Sequence, residues 1–160
     1  MNHVVDVEKA MGRMDNIERA VTCFKGGFNC SQAILSTYCE SLGLDREMAL
    51  RIASGFGGGM GCTGGVCGAV TGAFMVLGLK HGSATAGDKA AKELTYAQVR
   101  EFRCRFEALH QHITCRELLG CDIGSAEGMK AAKDQNLFTT VCPKLVEDAA
   151  KILQEMLTKP

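Results

Sequence analysis

SGFGGGMGCTGGVCGAVTG, residues 54–72, holds nine of the chain's nineteen glycines. Glycine loses more backbone freedom on folding than any other residue. Such a density therefore implies positive φ angles, or backbone lying too close to something for a Cβ to fit. Cys62 and Cys67 lie inside the stretch. Beyond Cys67 the glycines spread to helical spacing, with Gly68 and Gly72 four apart beside Ala69 and Ala73. The pattern predicts an irregular loop feeding a helix whose start carries a cysteine.

Glycine loops that enter helices often hold phosphates, but this one lacks the required partners. The phosphate-binding pattern G-x-x-x-x-G-K-[ST] needs its lysine, and no lysine or arginine occurs between Arg51 and Lys80. A dinucleotide fingerprint follows a strand, whereas residues 46–54 read as helix.

A single domain of 160 residues, 46% hydrophobic, buries roughly 70% of its unfolded surface and needs no metal to fold. Eighteen basic and eighteen acidic residues cancel, which leaves no electrostatic footprint for nucleic acid or an anionic membrane. The first residues meet a charge at Asp6 and lack the apolar run of a secretory signal, so the expected location is cytoplasmic. The uncharged stretch after Arg51 does not read as a membrane span. Only 66–79 is continuously apolar apart from Thr71, which is too short. Nine cysteines, an odd number, argue against a disulfide framework in a reducing compartment.

Read in order, the chain is helical throughout. Asp15-x-x-Glu18 caps a helix through Ile17, Ala20, Val21 and Phe24, halted at Gly26-Gly27. Asn29 and Gln32 box the start of a second helix, which runs from Cys30 to about Leu42. Asp45 caps a third over 46–54. A central helix over about 66–79 follows, buried nearly all round, with Gly68 and Gly72 on one face for a close neighbour. Residues 88–110 form a long amphipathic helix with Val99, Phe102, Phe106 and Leu109 as its apolar stripe. Thr114-Cys115-Arg116-Glu117 starts a short helix ending at Gly120, 125–135 form another, and Cys142-Pro143 opens the last. No alternating strand pattern of useful length occurs. The expected fold is all-α, a compact bundle of about six or seven helices around a buried glycine-rich central helix.

Cys30, Cys67, Cys115 and Cys142 each fall at or beside a predicted helix N-terminus. A helix start carries partial positive charge and free N–H donors, which favour the thiolate that binds metal or attacks a disulfide. If the four starts converge, they form a tetrathiolate pocket whose charge is offset by backbone dipoles instead of lysines.

F-N-C-S-Q at 28–32, G-F-G-G-G-M-G at 55–61, V-C-G-A-V-T-G at 66–72, C-R-E-L-L-G at 115–120 and V-C-P-K at 141–144 together resemble the redox-active family named C_GCAxxG_C_C. The likeness runs over about 28–157, and the family's four characteristic cysteines carry over to Cys30, Cys67, Cys115 and Cys142. The resemblance implies redox activity and an iron–sulfur or other metal centre, with no assigned substrate. A similar domain occurs beside haem-binding segments in split-Soret cytochromes, but C-x-x-C-H is missing from this chain.

Cys23, Cys39, Cys62, Cys104 and Cys121 lie outside that pattern. Of these, Cys62-x4-Cys67 echoes a ferredoxin spacing without its following C-x-x-C, which leaves Cys62 a candidate ligand or resolving thiol. His110, His112, His3 and His81 are further soft-metal candidates, and a solvated helix end accounts equally well for the first two. No Ser/His/Asp set or paired carboxylate supports hydrolase chemistry. Three readings stay open. The first is an electron-transfer or redox-sensing protein with an iron–sulfur cluster on the four thiolates and a redox partner protein. The second is a metal-free thiol–disulfide protein, and the third a structural zinc module with four cysteine ligands. A homodimer is compatible with the long amphipathic helix.

Overall fold

The computed structural model describes residues 14–158, so the N-terminal stretch and His3 lie outside the described residues. Its α-helices are α1 (Asn16–Lys25), α2 (Cys30–Tyr38), α3 (Arg46–Ala53), α4 (Gly68–His81), α5 (Lys89–His110), α6 (Cys115–Leu119), α7 (Ala126–Asp134), α8 (Leu137–Thr140) and α9 (Cys142–Thr158). Among the described residues there is no strand, only an isolated antiparallel bridge between Val66 and Thr114. The all-α expectation holds. Nine α-helices stand among the described residues, and of these only α8, four residues long, has no counterpart in the sequence pattern. No helix among the described residues is long and apolar enough to cross a membrane.

The caps behave as their residue types dictate. Asp15 accepts from Glu18 N–H at 2.8 Å, Asp45 from Met48 N–H at 2.9 Å and Ser125 from Gly128 N–H at 3.0 Å. Asn29 and Gln32 close a reciprocal box at 2.9 and 3.0 Å, and the Asn29 amide also donates to Ser54 O at 3.0 Å. That last bond ties the start of α2 to the entrance of the glycine loop. The second helix ends at Tyr38, earlier than its sequence suggests, and the chain continues through a short 3₁₀ turn over Glu40–Leu42.

α4 is the hub, packed most extensively on α2 and also on α5 and α9. Gly68, Ala69, Val70, Thr71, Gly72, Ala73, Val76 and Leu77 are all buried in it. The two glycines are what let α2 approach. A Cβ on Gly68 would lie 2.9 Å from Ser31 N, and one on Gly72 would lie 3.0 Å from both Ile34 Cβ and Ser31 O. α9 closes the opposite side against α1, α2 and α5, where the Tyr38 hydroxyl donates to Ala150 O at 2.9 Å.

α5 departs from the expected stripe. Phe102 and Phe106 are fully buried, with Phe74 edge-on to Phe102 at 6.0 Å, but Leu109 is 61% exposed. His110, one turn beyond Phe106, takes the inward position. Its ring lies 4.6 Å from that of Phe106, and its Nε2 is 3.2 Å from Asp148 Oδ2 on α9. Position four after Phe106 continues the buried face better than position three, so the apolar residue is the one turned to solvent.

The glycine contacts make a paired prediction. Gly72→Leu overpacks the α2–α4 contact and should lower stability by about 1–3 kcal/mol or more. Gly78, in the same helix, has nothing within 4 Å of a would-be Cβ. Gly78→Ala should therefore raise stability by about 0.4–1 kcal/mol through helix propensity and unfolded-state entropy. Thermal denaturation of both variants checks this, and a Gly72→Leu midpoint equal to wild type would overturn the packing account.

Candidate thiol centre

The four cysteines selected from the sequence converge. Cys30 is the first residue of α2, Cys67 caps α4, Cys115 opens α6 and Cys142 opens α9. All four are buried, at most 7% exposed, and all four line one cavity of about 370 Å³.

Each arrives for a local reason. Cys67 N–H donates to Ile113 O at 2.7 Å, and Cys115 N–H donates to Gly65 O at 2.8 Å. With the Val66–Thr114 bridge, these bonds lay the end of the glycine loop alongside the start of α6, so Cys67 and Cys115 become neighbours. Cys30 joins them because Gly68 lets the two helix starts abut: a Cβ there would lie 3.1 Å from Cys30 Cβ. Cys142 is delivered by the turn from α8 into α9, and its thiol interacts with that of Cys30.

The rest of the wall is apolar: Phe24, Leu119, Ile123, Phe138 and Leu145, with Asn29 and Ser54 as polar exceptions and no ionised side chain. Gly57, Gly58 and Gly61 form the remaining side, joined by Cys62. This loop is wound left-handed. Residues 58–62 have successive φ values of 61°, 72°, 64°, 64° and 60°. Gly64 N–H and Gly65 N–H return to Gly58 O and Gly59 O at 3.2 and 3.0 Å. Gly59 is obligatory in that geometry, since a Cβ there would lie 2.4 Å from Gly65 O.

The thiols also set one another's ionisation. Cys115 and then Cys30 hydrogen-bond to the Cys67 sulfur, and N–H groups of Ala69 and Val70 in the first turn of α4 add to them. Together they hold the Cys67 pKa well below the usual thiol value although burial opposes it. Cys30 is pushed up by its interactions with Cys142 and Cys67 and then by burial, and Cys115 is pushed up by Cys67 and then by burial. Within the row Cys67 is thus the thiol most readily ionised, with Cys115 and Cys30 placed as donors to it. All nine cysteines are free thiols.

As the side chains stand, no three or more His, Cys, Asp or Glu among the described residues gather in a way that could hold a metal ion. The four sulfurs instead wall a volume. As a donor set they suit a polynuclear group: four soft thiols in an apolar chamber, each at a helix start.

The other candidates lie elsewhere. Cys23 and Cys39 are buried in the core, where Cys39 donates to Ser36 O at 3.4 Å. Cys104 is exposed on α5, and Cys121 is half-buried. None of the described histidines lines the cavity. His110 faces Asp148, His112 faces Glu117 at 3.3 Å, and His81 ends α4, where burial lowers its pKa. Asn29, Ser54, Phe24 and Phe138 were not singled out as site residues in the sequence. Asn29 reads there as a helix cap alone, and nothing marks Phe138.

No curated protein and no solved structure matches the chain. The family model described as "Putative redox-active protein (C_GCAxxG_C_C)" matches residues 28–156, a span that contains all four inner cysteines and most of the bundle, and the chain belongs to that family.

Proposed function

We propose that this redox-active chain works through the cavity walled by Cys30, Cys67, Cys115 and Cys142, and that an iron–sulfur cluster on those four thiolates is its working group. The observation that carries this reading is the cavity itself. A cavity of about 370 Å³ with four buried thiols in its apolar wall has room for a polynuclear group. A single ion would need the sulfurs drawn to about 2.3 Å from one point, whereas fourfold cysteine ligation is the usual requirement of clusters. When bound, such a group supplies one-electron chemistry at a potential tuned by charge, hydrogen bonds and exposure.

The chain's own residues would do the rest. The helix starts at Cys30, Cys67, Cys115 and Cys142 favour thiolates although no lysine or arginine lines the cavity. Ala69 and Val70 N–H groups hydrogen-bond to the Cys67 sulfur and lower its basicity. Phe24, Leu119, Ile123, Phe138 and Leu145 keep water from the sulfurs. A redox partner protein would exchange electrons at the glycine-loop side. Free cysteines throughout suit a cytoplasmic setting.

A second reading, a metal-free thiol–disulfide protein, is favoured by a different observation. Cys30 interacts with both Cys142 and Cys67, and Cys67 with Cys115, so adjacent thiols lie close to the sulfur most readily ionised. That is the arrangement in which a thiolate attacks and a neighbour resolves.

Anaerobic purification followed by absorbance and iron, sulfide and zinc analysis separates the readings. Serine at Cys30, Cys67, Cys115 or Cys142 should each remove most bound iron, and serine at Cys23, Cys39 or Cys104 should leave it. Full iron retention in any two of the first four would sink the ligand set. Voltammetry should show a reversible couple, or, in metal-free protein, peptide mapping should show a disulfide among the four that dithiothreitol reverses. One redox-silent zinc per chain with neither couple would leave the structural module in its place.

A further inference from the structure

Five cysteines line the cavity, and the fifth differs from the rest in position. Cys30, Cys67, Cys115 and Cys142 lie on its floor, at most 7% exposed. Cys62 is exposed, as are Ser54 and Gly61, so these three mark the mouth.

The backbone at Cys62 is held in an uncommon state. Met60 and Cys62 adopt the left-handed region, which costs a side-chain-bearing residue about 1–2 kcal/mol each. Gly58 makes room for the sulfur: a Cβ there would lie 2.7 Å from Cys62 Sγ. A left-handed turn that persists against this cost, with a glycine cradle under the thiol, fixes Cys62 at the mouth.

Burial of the inner four has a chemical consequence. Thiol–disulfide exchange requires the attacking thiolate to reach a disulfide sulfur, so its rate depends on access. A disulfide too bulky for a cavity of about 370 Å³ cannot bring its S–S bond to sulfurs as buried as these. It can bring it to Cys62.

We propose that Cys62 is the exchange thiol of this site, accepting oxidising equivalents from a small-molecule disulfide and passing them to one of the inner four. Cys62 releases its proton to solvent and attacks R–S–S–R; the S–S bond breaks, RS⁻ leaves and Cys62–S–S–R forms. An inner thiol, deprotonated in turn, attacks Cys62 Sγ, forms the protein disulfide and expels the second RS⁻. Two cysteine thiols are oxidised and one small disulfide becomes two thiols, and excess RSH reverses both steps. The assignment rests on the second reading above, in which the inner sulfurs are free.

The test uses the full chain, reduced without oxygen, freed of metal by chelation and mixed with oxidised glutathione. Thiols are trapped at intervals with N-ethylmaleimide, and each cysteine is read by peptide mass. Glutathione should appear first on Cys62, followed by a disulfide from Cys62 to one of the four. In Cys62→Ser the inner thiols should be lost more slowly by about tenfold or more. Cys104→Ser, which removes another exposed thiol, should match wild type. Equal inner oxidation in Cys62→Ser and wild type overturns the proposal, as does glutathione that stays on Cys62 while the inner four remain reduced. Diamide, which needs no exchange thiol, separates the two levels. Inner thiols that resist diamide as well overturn the free-thiol reading along with this one, whereas inner thiols that diamide oxidises, and that oxidised glutathione oxidises equally in Cys62→Ser, remove only the role of Cys62.

Discussion

The contact between α2 and α4 is the constraint on which the site depends. Two helices rarely approach so closely that a Cβ on one meets main-chain atoms of the other, and Gly68 and Gly72 make that approach possible. The result is more than tight packing. Because the contact lies at the N-terminal ends of both helices, it sets Cys30 beside Cys67 and stacks two partially positive helix starts against the same sulfurs. A larger side chain at either glycine would separate the helices and the thiols together.

The electrostatics of the cavity follow from what its wall lacks. An ionised group in an apolar chamber is costly unless hydrogen-bonded or paired, and no Asp, Glu, Lys, Arg or His lines this one. Compensation for a thiolate comes from the backbone and from the thiols themselves, with Cys115 and Cys30 donating to Cys67. No lysine or arginine competes for the sulfurs within the cavity. The glycine loop serves the same end. Its left-handed turn brings main chain, instead of side chains, up to the sulfurs, and it leaves the mouth to Ser54, Gly61 and Cys62.

Much of this was legible in the sequence. The caps at Asp15, Asn29, Asp45 and Thr114 announce helix starts because a short polar side chain before an apolar run has few other uses. The four cysteines stand out for the same reason, since each sits at or beside such a start. The spacing of Gly68 and Gly72 foretells a close helix contact but does not name α2 as the partner. Other features were misread or silent. Leu109 reads as core and His110 as solvated because spacing alone does not separate the third from the fourth position after Phe106. The carboxylate of Asp148, which receives His110, comes from a helix 38 positions further along the chain.

By itself the sequence determined the all-α class, the helix starts, the irregular loop implied by clustered glycine, and the family's four cysteines. These are local properties, written in residue types within a few positions of one another. Only the tertiary structure decided that the four starts meet, that they enclose a volume instead of a point, and that Cys62 stands at its mouth while Cys23 and Cys39 do not reach it. Those outcomes depend on which helix packs on which and on a two-residue bridge between Val66 and Thr114. Contacts between residues tens of positions apart are set by the competition of all apolar surfaces for burial, and no short stretch of sequence encodes them.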